Sequence, residues 1–476
     1  MSSLCHSRTR LAPGVMLLWT LMALMVFGTA QSFAGRIAPR AKTKTLANGM
    51  RFIVVEQREL PTLSIQVVVR AGSSLDPPGK AGLAALVPEM LRSGAGKRSG
   101  AELDRYIDSL GIQFQTWVDR DAAHFRLDVG RRESLAAIQF LRDMLREPVL
   151  DKATFERLVR SQISGAIQAF DVGSAVALDL AYGAMFPGQA LGEAPRGNSE
   201  SLENISLADV TEFLEKHYTP RNITLIVAGD LEIKREINTL TETFFPIPRG
   251  KSHAPDAAEF SPVKTDSIRF QLLDAPRSGG ASIMIFALAS SPRDTSSFAA
   301  DIMLAHLLGG YPEISYLGRR LVEEQRLITN LTSTLPTTGN RTFLRARFNC
   351  AAEQVVDVLT ETLDITTLLG ESRISKRELE DGKHFFRGSF AMAFESAGDI
   401  STLFAQATSA GLKHNYVDVL LKHIERLTQA NIKAAAARLF SPGNMIIVVV
   451  GNNRQYIHQL AEFGSVSRVK GPREFE

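Results

Sequence analysis

EKHYTPRNITLIVAGDL, residues 215–231, returns 222 residues later as ARLFSPGNMIIVVVGNN, residues 437–453. Pro220 matches Pro442, Asn222 matches Asn444 and Gly229 matches Gly451. Each copy has the same order of signals. A helix runs out, a turn with proline follows, and a β-branched run of strand length ends at a glycine. Upstream of each copy stands a helix start, Ser206 before LADVTEF and Thr428 before QANIKAA, with a hydroxyl suited to an N-cap. So long a period predicts duplication of a whole domain rather than a solenoid.

The flanking sequence repeats in the same order. The first half has strands RFIVVE and LSIQVVVRAG, helices over 81–92 and 100–110, a strand pair IQFQTWV and AAHFRLDV turning near Asp119, and helices over 133–146 and 151–170. The second has SIRFQLLDA and ASIMIFALA, a helix over 299–310, strands over 329–334 and 341–350, and helices over 352–369 and 375–395. Strand runs mixed with helices in this order predict an α+β fold of two homologous domains, each a mostly antiparallel sheet with helices packed on one face. The expected boundaries are 40–245 and 264–460. The polar, proline-rich stretch 246–263 is the linker between them.

With 476 residues, 45% hydrophobic and 22% charged, the chain has length for two cores. A net charge of +3 argues against a nucleic-acid partner. Arg8 and Arg10, the apolar run VMLLWTLMALMVFG and the small residues after it read as a secretory signal over 1–34, cleaved after Ala34 or Ala30. No later run has the ~20 apolar residues of a span, so the mature chain is expected to be exported, periplasmic or secreted, with no stable membrane span. Cys5 would leave with the signal. Cys350, the other cysteine, then has no partner for a disulfide or thiolate site and reads as a buried apolar residue. Sequons begin at Asn204, Asn222 and Asn330.

One helix is at odds with itself. AGLAALVPEML, 81–91, reads as a buried helix, yet Pro88 sits inside it, where proline costs roughly 3 kcal/mol. The stretches 45–91, 192–231 and 307–333 together resemble the insulinase/pitrilysin family of zinc peptidases, across nearly the whole mature chain. That resemblance explains the proline. In active members this helix carries G-L-A-H-x-x-E-H-M-L, two histidines that ligate zinc and a glutamate that activates water. On this chain those positions hold Ala85, Pro88 and Glu89. The third ligand, a glutamate in active members, falls at or near Ser164, with no acidic residue between Glu156 and Asp171. The helix is then free to kink at Pro88, or to begin its regular part near Val87. The family's arginine and tyrosine in the second domain, which face the substrate, fall on Val322 and Thr329. Arg319, Arg320 and Arg326 are the nearby substitutes.

Nothing else in the sequence replaces that chemistry. Nine histidines, 6, 124, 217, 253, 306, 384, 414, 423 and 458, include no pair within five residues, and no G-x-S-x-G occurs. His124, His217 and His306 read as packed or surface residues rather than ligands. The resemblance therefore implies no catalytic residues, no metal and no cofactor in this chain, with zinc expected only in a partner. The expected function is a non-catalytic accessory subunit of an exported zinc peptidase complex handling peptides or unfolded protein. Its partner would be a zinc-motif subunit of the same family or a second copy of the chain. The alternative is a binding or assembly protein with no proteolytic role.

Overall fold

Both copies of the repeated stretch are strands in the computed structural model, Ile223–Gly229 and Met445–Gly451, each buried over all seven residues. A single 3-10 turn precedes each, Pro220–Asn222 and Pro442–Asn444. Before those come helices Leu207–His217 and Gln429–Leu439, with capping boxes formed by Ser206 and Asp209 and by Thr428 and Asn431. The structure describes residues 39–169, 173–250, 260–275, 279–371 and 374–469. The expected signal over 1–34 and the middle of the expected linker lie outside them.

The first sheet holds β1 (Ala41–Thr45), β2 (Arg51–Glu56), β3 (Thr62–Val69), β4 (Gln113–Val118), β5 (Ala123–Gly130) and β6 (Ile223–Gly229), in the order β1-β2-β6-β3-β5-β4. The second holds β7 (Ile268–Asp274), β8 (Ala281–Leu288), β9 (Ile328–Thr334), β10 (Arg341–Cys350), β11 (Met445–Gly451) and β12 (Gly464–Val469), in the order β9-β10-β8-β11-β7-β12. The two-residue strand Thr337–Thr338 adds to β10. The repeated strand occupies the same place in each. It runs parallel to the first strand of the shared core, β6 beside β2 and β11 beside β7, and antiparallel to the next, β3 or β8. The glycine closing β6 is demanded by its position. Gly229 has φ +137°, and a Cβ there would sit 2.2 Å from the Thr62 carbonyl oxygen. The second sheet runs beyond residue 460, because β12 pairs parallel with β7 on its free edge.

Alternation along β3 separates its faces. Leu63, Ile65, Val67 and Val69 join the main core of the first half. On that face α1 (Leu83–Arg92) packs against β4 and β5, and α2 (Lys152–Ala169) packs against α1. The opposite faces are covered by helices exchanged between the halves. From the first half, α3 (Gly173–Met185) lays Val176, Ala177, Ala181, Tyr182 and Met185 on Met284, Phe286, Phe343, Ile446 and Val448 of the second sheet. From the second half, α4 (Ala397–Ser409) lies across β3 and β6, with Ser401 Oγ 2.8 Å from Ser64 Oγ. Tyr182 and Thr338 hydroxyls meet at 2.9 Å. Own-half helices thus cover one face of each sheet, as expected, and one exchanged helix covers the other. Neither exchanged helix is among those expected from the sequence. Each side chain described in α3 is at least half-buried, so it lacks the polar stripe that marks a surface helix.

Candidate functional site

The helix that carries the family's metal motif begins with a left-handed glycine. Gly82 has φ +99°, and a Cβ there would stand 2.7 Å from Leu202 Cδ2. The buried Asp76 carboxylate accepts from the Gly82 N–H at 2.9 Å and the Ala84 N–H at 2.8 Å, satisfying two otherwise unpaired donors of the first turn. From α2, Gln162 Nε2 donates to the Gly82 carbonyl at 3.1 Å and the Arg196 carbonyl at 2.9 Å. Held in this way, α1 runs unbroken from Leu83 to Arg92 with Pro88 as its sixth residue. A start near Val87 is therefore corrected. The first turn is fixed by Asp76, and the helix continues past the proline because seven of its ten residues are buried.

Burial pushes the Asp76 carboxyl up to about 7, against the pull of the Ala84 and Gly82 N–H groups. An unfolded aspartate titrates near about 3.9. Between these values the folded state holds a proton that the unfolded state has released, so stability falls as pH rises through the window. Melting temperature measured from about pH 4 to pH 7 should show this slope in the wild type. Asp76→Asn should flatten it while lowering stability, because its amide nitrogen cannot accept the second N–H.

Ala85 and Glu89 share the half-buried side of α1, while Pro88 is turned into the core. Glu89 Oε1 accepts from Thr116 Oγ1 of β4 at 2.8 Å. Ser164 is exposed, and its hydroxyl donates to the Arg160 carbonyl of its own helix at 3.0 Å. Ala85, Glu89 and Ser164 offer one carboxylate and no imidazole, a donor set that does not fit a tetrahedral zinc. Among the described residues no group of three His, Cys, Asp or Glu side chains is placed to hold a metal ion.

In the second half, Val322 is half-buried in the wide helical segment Gly318–Glu324, and Thr329 is exposed on the edge strand β9. Arg319 is paired with Glu378 at 2.7 Å, and Arg320 with Glu361 at 2.9 Å. Arg326 is exposed, with φ +54°. His124, His217 and His306 are packed. His217 and His306 are each held down to about 4 by burial, with Lys216 adding to it at His217. His124 is buried, its Nε2 3.0 Å from Asp119 Oδ2. Burial pushes the Cys350 thiol up to about 12. Asp76, Thr116 and Gln162 were not singled out from sequence. Asp76 had a legible signal, an acidic residue shortly before a glycine-led helix, whereas Gln162 and Thr116 gain their roles only from tertiary contact.

Family models match in two consecutive pieces. One described as Insulinase (Peptidase family M16) covers residues 51–196, and one described as Peptidase M16 inactive domain covers residues 204–385. The chain belongs to the M16 family. Within it, a Helicobacter pylori protein named Non-peptidase homolog YmxG is 20% identical over 85% of this chain and 92% of its own length. Cytochrome b-c1 complex subunit 1 of Caenorhabditis elegans is 28% identical over 40% of this chain, and the match spans 41% of that relative. Among solved structures, an M16 inactive domain from Pseudomonas fluorescens superposes with a TM-score of 0.79 at 22% identity, over 87% of this chain and 98% of that one. The first half of the periplasmic protease PqqL from Escherichia coli gives 0.73 at 15% identity, over 89% and 94%. These likenesses establish the fold; one matched model is described as an inactive domain, and the Helicobacter relative is named a non-peptidase homologue. No helix among the described residues is long and apolar enough to cross a membrane.

Proposed function

We propose that the chain is the non-catalytic accessory subunit of an exported M16 peptidase complex that handles peptides or unfolded protein. The observation that carries this reading is α1 itself. The helix is well built and well capped, yet it offers Ala85, Pro88 and Glu89 where active members carry two ligands and the general base, with Ser164 at the third ligand position. Retaining the scaffold without its chemistry fits a chain kept for shape and for pairing. The N-terminal leader pattern supports export, as does the likeness to a neighbour described as periplasmic.

Native purification from the source organism is expected to bring down a second M16 chain with an intact zinc motif. Peptide hydrolysis should appear only in that complex and vanish when the partner's glutamate is replaced. A single-component preparation that cleaves peptides would contradict the reading. Relatives named as cytochrome b-c1 complex subunits favour a second reading, an assembly protein with no proteolytic role. Co-purification in a complex lacking any zinc-motif chain would select it.

A further inference from the structure

Gln66 stands in the middle of β3, fully buried, on the face turned toward α4 and away from α1. Neither its Oε1 nor its Nε2 has a hydrogen-bond partner among the described residues. Leaving a buried polar group unpaired costs on the order of 1–3 kcal/mol, so folded proteins seldom keep one with nothing to meet it. This carboxamide lines a cavity of about 500 Å³, within the size range of small-molecule sites. The cavity lies between the first sheet, α4 and the second half.

Three more groups on its wall have capacity to spare. His124, stacked on Trp117 at 4.7 Å, uses Nε2 on Asp119 and leaves its buried Nδ1 without a partner among the described residues. Arg345 reaches the cavity from β10. Among the described residues its guanidinium has no ion pair, and burial and Arg347 hold its pKa below the usual arginine value. The carboxyl of Asp121 accepts one backbone N–H, from Gly339. Asp119, by contrast, is fully engaged by His124 and the N–H groups of Asp121 and Ala122. The rest of the wall is mixed: Phe298 and Ile302 from the second half are among its apolar residues, and Thr334, Thr402 and Gln406 are among its polar ones. One cavity thus presents a cation, a carboxyl and a carboxamide with capacity to spare among the described residues, together with apolar side chains.

We propose that this cavity binds a small zwitterion with an apolar body, of the amino-acid or dipeptide class. Its carboxylate sits on Arg345, its ammonium on Asp121, and a further polar atom on Gln66. A free α-amino acid and a dipeptide share this chemistry. Burial, reinforced by the neighbouring Asp119, pushes the Asp121 carboxyl up to about 8 against the pull of Arg120, Arg341 and the Gly339 N–H, and an ammonium bound in the cavity would add a cation in direct contact with it. The site lies on the opposite face of the sheet from α1. It stands whether or not the chain belongs to a peptidase complex.

Titration calorimetry of the purified chain with L-leucine and with L-leucyl-L-leucine tests the proposal. Saturable binding of at least one probe is expected. Tighter binding of leucine marks a free amino-acid site, and tighter binding of the dipeptide a peptide site; both support the proposal. The charge-deleted analogues isoamylamine and 4-methylpentanoate should each bind at least about tenfold more weakly. Gln66→Leu removes a partnerless buried amide at similar volume, so it should fold as well as the wild type or better while losing about tenfold in affinity. Arg345→Met should abolish discrimination for the carboxylate. No saturable binding of either zwitterion would overturn the proposal, as would analogues that bind as well as the zwitterions or a Gln66→Leu variant with unchanged affinity. A crystal structure with ordered water alone on Gln66 and His124 at saturating ligand would also overturn it.

Discussion

Phe343→Ala is expected to destabilise the chain by roughly 3–5 kcal/mol, the cost of emptying a fully buried aromatic site. Phe343 stacks on Phe286 with ring centroids 5.0 Å apart and lies 4.9 Å from Tyr182 and 6.1 Å from Phe186. The first neighbour belongs to its own sheet, and the other two come from the exchanged helix and its end. The loss therefore falls on the seam where the halves hold each other. Denaturant unfolding is the measurement, with Phe245→Ala as control. Phe245 is 57% exposed and should change stability by less than about 0.5 kcal/mol. Equal small effects at both positions would mean that α3 does not pack on the second sheet as described.

Arg120→Ala should cost roughly 2–4 kcal/mol, because it removes buried charge-assisted hydrogen bonds and a cation–π contact at once. Only 7% exposed, Arg120 lies with its guanidinium carbon 3.6 Å from the Tyr182 ring centroid. It donates to the Leu191 carbonyl at 3.0 Å and the Glu193 carbonyl at 3.3 Å, and it pairs with Asp179 at 3.1 Å. Removing it leaves Asp179 with Arg196, 2.8 Å away at its other oxygen. Lysine cannot reproduce the planar fork or the stacking, so Arg120→Lys should recover only part of the loss. Thermal melts of the three proteins check this. A lysine variant as stable as the wild type would show that charge alone is what Arg120 supplies.

These two predictions rest on the layer that sequence reading did not reach. The sheets were legible because their signals are local. Apolar runs such as ITLIVAG and MIIVVVG are bounded by proline turns and glycines, and their repetition set the number of halves. The exchanged helices were not: in α3 the described side chains are all at least half-buried, which erases the 3.6-residue stripe, and α4 covers a sheet of the other half, which no local signal encodes. At the candidate site, the three residues of α1 were legible from the motif they fail to match. Their surroundings were not, since Thr116 meets Glu89 and Gln162 meets Gly82 only after folding. Gln66 and Ser64 are the polar residues in LSIQVVV. The meaning of Gln66 depends on residues as distant as Phe298 and Arg345, which no window of sequence brings together.

The central claim is that α1 retains the architecture of a metal helix without its chemistry. Peptide hydrolysis needs an activated water, a base and oxyanion stabilisation, and losing any one typically costs about two or more orders of magnitude. The most direct test is chelator-sensitive hydrolysis of an unfolded peptide by the isolated chain in excess zinc, alongside the combined variant Ala85→His, Pro88→Glu, Glu89→His. Neither protein is expected to turn over substrate, because Ser164 leaves even the restored motif without its third ligand. Chelator-sensitive turnover by the unmodified chain, lost in Glu89→Ala, would contradict the account.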